Sequence, residues 1–174
     1  NMTGGARDLD NLSRELRKMI SIFRVSGQSG ETSAVTQERN VQDLMPWSAR
    51  LETGIADIDS QHRELVRLVN LLHRGMRLQK GTDEVGAVLN DLADYTVNHF
   101  KFEEDLFDTH EYPETDAHKK IHKDLVGQVT AFQSEFMAGK ATVSMDLMDF
   151  LKDWLKNHIM KTDMAYVPFL KERM

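Results

Sequence analysis

The chain contains no cysteine among its 174 residues. Disulfides, thiolate metal sites and iron–sulfur clusters are therefore excluded. No apolar run approaches the roughly 20 residues of a membrane span. No basic-then-apolar signal segment opens the chain. Positive charge is not in excess: 22 Lys and Arg stand against 28 Asp and Glu, a net charge of −6 that argues against a nucleic-acid partner. No strand-like alternation, internal repeat, Gly-rich phosphate loop or Ser/His/Asp order stands out. What is present, 40% hydrophobic and 29% charged residues, reads as a soluble globular chain. Its length supports one domain plus an appendage. The opening Asn1-Met2-Thr3-Gly4-Gly5 reads as that of an excised fragment, so a parent protein could carry membrane segments upstream.

Residues 8–24 place Leu9, Leu12, Leu16, Met19 and Phe23 at heptad steps of three and four. About two heptads are too few to decide between a coiled coil and an amphipathic helix docked on a neighbour. Residues 25–43 are mostly small and polar and read as a linker, which Pro46-Trp47 ends. The chain thus divides into 1–44, an amphipathic segment with its linker, and 45–174, a helical domain. Apolar spacing in the second part predicts helices over 59–78, 83–107, 114–137 and 144–161. Gly81-Thr82-Asp83, His110-Glu111-Tyr112-Pro113 and Gly139 supply the turns. Four helices with short connections predict an all-α, up-down-up-down four-helix bundle with an N-terminal helical and linker extension.

Five of the seven histidines fall on the inward faces of these helices. His99 and Glu103 are four apart, as are His118 and His122, so each pair shares one face one turn apart. His62 lies on the apolar face of the first helix and His158 on that of the fourth. One histidine on such a face is usually a hydrogen-bonded core residue. Five together, with carboxylates, would cost several kcal/mol to bury unpartnered, and a metal pair offsets that cost. Imidazole suits iron, zinc and copper, and carboxylates can bridge two cations. Asp163 stands five after His158, a step that leaves the face of a regular helix, so it must be presented where the helix ends or distorts. His73 is 11 residues from His62, roughly 16 Å along the axis, and too far to share its centre. His73 and His110 read as solvated or structural. Glu104 and Asp105 read as surface charges.

These residues resemble the hemerythrin family in its bacterial form. The strings that carry the likeness are Trp47, Gly54-Ile55, Ile58-Asp59-Ser60-Gln61-His62, His99-Phe100-Lys101-Phe102-Glu103-Glu104, His118-Lys119-Lys120-Ile121-His122, and Trp154-Leu155-Lys156-Asn157-His158 followed by Asp163. The likeness covers about residues 45–170 and fills all seven ligand positions. It implies an oxo- or hydroxo-bridged pair of irons that binds O2 reversibly. His118, His122 and His158 would hold one iron, and His62 and His99 the other. Glu103 and Asp163 would bridge them, and the open position for O2 would lie on the His62/His99 iron. Leu155, one turn before His158, would wall that O2 pocket. Oxygenation then leaves the formal charge of the centre unchanged, which suits a low-dielectric core. No Glu-x-x-His, the motif of carboxylate-rich di-iron bundles, occurs in the chain.

Residues 12–25 are similar to the end of the cytoplasmic signalling hairpin of a methyl-accepting chemotaxis receptor. This second likeness implies an oxygen sensor on an upstream receptor signalling domain, cytoplasmic, without membrane contact of its own, in a parent that is an inner-membrane receptor. The reading is of a binding protein and not an enzyme. The alternatives it leaves are O2 storage or delivery, a di-iron peroxidase or oxidase, and a structural module that binds zinc adventitiously.

Overall fold

The computed structural model describes residues 41–174; the segment at 8–24 and the linker up to residue 40 lie outside the described residues. A 3-10 turn, Ala49–Leu51, leads to α1 (Ala56–Arg77), α2 (Thr82–His110), α3 (Thr115–Met137) and α4 (Met145–Asn157). From α4 the backbone runs through a π turn, His158–Asp163, into α5 (Met164–Lys171). No strand occurs among the described residues. α1 packs on α2 and α4, and α2 packs on α3, so α4, the π turn and α5 act as the fourth rod of a four-helix bundle. No helix among the described residues is long and apolar enough to cross a membrane.

The first three helices lie within a few residues of their expected bounds. The fourth does not stop at 161 as the spacing predicted. The step of five between His158 and Asp163 breaks an α-helical face, and the sequence reading ended the helix there. A π turn closes its hydrogen bonds between residues five apart. It therefore stacks His158 and Asp163 and carries the helix on to Lys171.

The helix ends show why the chain turns where it does. Gly139 has φ 68°, and the N–H groups of Gly139 and Lys140 donate to Phe136 and Glu135. This is the Schellman arrangement that glycine favours after a helix. α1 ends the same way, but Gln79, at φ 52°, occupies the left-handed position. A side chain there costs about 1 kcal/mol. Ser144 caps α4 by accepting from the Leu147 N–H at 3.3 Å.

The apolar faces meet in two clusters. The larger includes Leu65, Val69, Leu72, Leu89, Leu92, Leu151 and Leu155. The smaller holds Ile55, Ile58, Phe107, Tyr112, Tyr166, Val167 and Leu170. Each fully buried side chain of this size contributes roughly 1.5–3 kcal/mol. His62, His99, Glu103, His118, His122, His158 and Asp163 are also buried. On α1, α2 and the fourth rod they fall in sequence between the two apolar sets: Ile58 and Leu65 flank His62, and Leu155 and Tyr166 flank the His158–Asp163 turn.

The chain before α1 is strapped across that helix. The Asn70 carboxamide accepts from the Met45 N–H at 2.9 Å and donates to its carbonyl at 2.8 Å. Arg74 pairs with Asp43 at 3.1 Å, and the Arg63 guanidinium sits 4.6 Å over the Trp47 ring. The turn at Ala49–Leu51 then rests on the π turn.

Candidate metal centre

Each helix of the bundle delivers its share of one cluster. α1 brings His62, α2 brings His99 and Glu103, α3 brings His118 and His122, and the fourth rod brings His158 and Asp163. None of the seven is more than 4% exposed, so water cannot compensate them. The i,i+4 pairs arise from ordinary helical register. The pair on the fourth rod depends on the π turn, since a regular α-helix would aim Asp163 away.

The two carboxylates lie between two groups of imidazoles. Glu103 Oε1 is 3.6 Å from His99 Nε2 and 3.8 Å from His62 Nε2. Its Oε2 is 3.3 Å from His122 Nε2 and 3.9 Å from His118 Nε2. Asp163 Oδ2 is 3.2 Å from His62 Nε2, while its Oδ1 is 3.0 Å from His158 Nε2 and 3.4 Å from His118 Nε2. Each carboxylate thus offers one oxygen to the His62/His99 side and the other to the His118/His122/His158 side.

These donors fit metal ions better than they fit each other. Nε2 of His62, His99 and His118, Oε2 of Glu103 and both carboxylate oxygens of Asp163 have no hydrogen-bond partner. His122 Nε2 and His158 Nε2 face each other at 3.2 Å. Two donors each about 2.1 Å from a shared ion lie about 3.0–3.4 Å apart when cis or tetrahedral. Orphaned buried acceptors at such spacings are costly in a bare protein and are the edges of a coordination shell in a loaded one.

Neighbouring groups hold the imidazoles in place. Phe100 stacks on His122 with ring centres 3.7 Å apart, and Trp154 stacks on His158 at 4.3 Å. His99 Nδ1 donates to the Gln61 side-chain oxygen at 3.0 Å, and His122 Nδ1 donates to Glu104 Oε1 at 2.9 Å. Both bonds leave Nε2 as the nitrogen that faces the cluster. The Tyr166 hydroxyl donates to Glu103 Oε1 at 2.5 Å, fixing that carboxylate.

Charge follows the same geometry. Burial pulls the His62 pKa down, but Asp163 and Glu103 more than reverse this, to about 9. Burial holds His99 down at about 4, against the pull of Glu103. Burial would also raise the pKa of Glu103 and Asp163, yet the surrounding imidazoles keep both below the ordinary carboxylate range. Burial, with the adjacent carboxylates, holds the Tyr166 hydroxyl protonated well above its usual range. At neutral pH the carboxylates are therefore ionised, and at His62 an incoming cation would have to displace a proton.

The structure brings all seven sequence candidates together. Leu155 lies one turn from His158. Together with Leu65, Thr96, Phe100, Leu125 and Trp154 it lines an apolar cavity of about 30 Å³. Three of those partners stand one turn from a donor: Leu65 from His62, Thr96 from His99 and Leu125 from His122. His73 is outside the cluster and buried, which makes it structural rather than solvated. Asp105 pairs on the surface with Lys101. Glu104 is not simply a surface charge. One residue past Glu103 turns it away from the centre and towards α3, where it reaches the outer nitrogen of His122. Gln61 and Tyr166 also escaped the sequence reading. Tyr166 follows Asp163 by three residues, a one-turn spacing visible only once the helix is carried past 161.

The comparisons agree with this geometry. The Hemerythrin HHE cation binding domain matches residues 53–170. A Bacteriohemerythrin of Pseudomonas paraeruginosa is 38% identical over 130 residues, 74% of this chain and 82% of the relative. That of Methylococcus capsulatus is 40% identical over 128 residues, 73% of this chain and 97% of the relative. The crystal structure of wild-type hemerythrin superposes with a TM-score of 0.69 at 40% identity, covering 73% of this chain and 98% of that one. A family match that takes in every donor, and relatives aligned over most of their own length, leave one assignment: the chain belongs to the hemerythrin family of cation-binding domains.

Proposed function

We propose that residues 45–174 bind O2 reversibly at a non-haem di-iron centre, as a cytoplasmic oxygen-sensing domain on an inner-membrane chemotaxis receptor. The observation that carries the di-iron reading is the split of Glu103 and Asp163, each with one oxygen towards either group of histidines. One ion would then take His118, His122 and His158, and the other His62 and His99, with both carboxylates bridging. A ferrous pair held there would supply the reducing electrons for reversible O2 binding. With three histidines on one side and two on the other, an open position would lie on the His62/His99 side.

The remaining residues protect that position. Leu155, Leu65, Thr96 and Phe100 line an apolar cavity; in this reading it adjoins that position and keeps out water and anions. The scarcity of free carboxylates and of a second acid–base group favours a binder over a peroxidase or oxidase. Metal analysis and absorption spectra, deoxygenated and then in air, test the reading. The expected result is about two irons per chain and a spectrum that changes with O2 and reverts on its removal. Zinc in place of iron, or no response to O2, overturns it.

A sensing role is supported by the strap of residues 43–51, which rests on both α1 and the π turn and so touches two of the rods that hold ligands. O2 storage or delivery would use the same site without that route. O2 shifts such an equilibrium only by binding one state better than the other. Hydrogen exchange of residues 41–58 is expected to differ between the deoxygenated and oxidised forms. Equal protection in both would remove the sensing role and leave O2 binding.

A further inference from the structure

The two sides of the centre differ in more than their number of histidines. On one side, single donor atoms of Glu103, His118, His122, His158 and Asp163 all lie within 4.8 Å of one another. On the other, only those of His62, His99 and Glu103 do. The histidines are also backed unequally. His122 donates its Nδ1 proton to a carboxylate, Glu104, and His99 donates to the neutral carboxamide of Gln61. A carboxylate acceptor draws the Nδ1 proton more strongly and makes the opposite nitrogen the better electron donor. Glu104 adds a negative charge beside one position, and Gln61 adds none beside the other. Lys119, a cation that feels the charge of Glu104, is engaged by Asp108 at 2.8 Å.

We propose that the metal positions fill in a fixed order, the His118/His122/His158 position first, and that Glu104 and Gln61 are the positioning residues that set this order. The inference rests on the metal-centre reading above. The first ion enters an assembled five-donor shell. By holding the carboxylates and the π turn, it then completes the weaker position around His62 and His99. The second ion, at the position left open for a ligand, is the one held less tightly and lost first to a chelator.

Cobalt(II) titrated into the metal-free protein, followed by its visible absorption and by calorimetry, tests this without any O2 chemistry. The wild type is expected to bind cobalt in two resolved steps. Glu104→Gln should weaken the first step by about 10- to 100-fold and leave the second within about threefold, since the Gln61–His99 bond is untouched. Gln61→Glu should do the reverse, tightening the second step and narrowing the gap. Glu104 is partly exposed, so its variant should fold, and Gln61→Glu removes no hydrogen bond. A single unresolved step, or variants that shift both steps equally, would overturn the fixed order. No cobalt uptake by the wild type would instead overturn the metal-centre reading itself.

Discussion

Asp163→Ala is expected to reduce bound metal from two ions per chain to one or fewer. Asp163 is fully buried, with one oxygen 3.2 Å from His62 Nε2 and the other 3.0 Å from His158 Nε2. Its loss removes a donor from each position at once. It also removes one of the two negative charges that, in the proposed centre, would balance two cations in a low-dielectric core. The affinity loss should exceed the roughly 10- to 100-fold that follows loss of a partner outside the coordination shell. Glu103→Ala should act alike, and should also strand the Tyr166 hydroxyl that Glu103 accepts from. Metal analysis after gel filtration reads both variants. Two irons retained in each would sink the bridging assignment.

Leu155→Glu should abolish reversible O2 binding or greatly accelerate autoxidation. Leu155 is 6% exposed, stands one turn before His158, and lines the cavity with Leu65 and Thr96, which stand one turn from His62 and His99. A carboxylate buried there without a partner costs several kcal/mol. In the proposed centre the cheapest partner would be the cation at the open position, which the carboxylate would block. Leu155→Met, nearly equal in volume, keeps the wall apolar and should leave O2 binding close to wild type. Stopped-flow O2 binding and the rate of iron oxidation in air measure both variants. Wild-type kinetics in Leu155→Glu would show that the O2 pocket lies elsewhere.

Much of the site was legible because helical register is periodic. His99 with Glu103, and His118 with His122, share a face by spacing alone, and the apolar stripes of α1 and α2 place those faces inward. The π turn was legible only as a contradiction. Asp163 had to face His158, yet a step of five forbids that in an α-helix, and nothing local in His158–Asp163 announces a wider turn. Ending the helix at 161 therefore hid Tyr166, which is set by register beyond the turn. Glu104 and Gln61 were missed for another reason. Each stands beside a donor in sequence, and what it reaches depends on the neighbouring helix: Glu104 crosses to His122 on α3, and Gln61 crosses from α1 to His99 on α2. Spacing within one helix carries no information about such crossings.

A layer of charge set between two greasy halves also governs how the molecule comes apart. With no cation, the cluster around Ile58, Phe107, Tyr166 and Leu170 is joined to the larger one through imidazoles and carboxylates, many of whose inward-facing atoms lack partners. Such a seam passes little cooperativity, and the smaller end can open on its own at a lower free energy than the whole. A cation pair bound as proposed would tie all four rods at that seam and make the halves melt together, adding its binding energy to the folded state. Calorimetry of the metal-free protein should therefore show two transitions, and that of the loaded protein one, at higher temperature. One sharp transition in both would mean that the helices alone carry the coupling. By this account the ions are also the element that makes the bundle a single mechanical body.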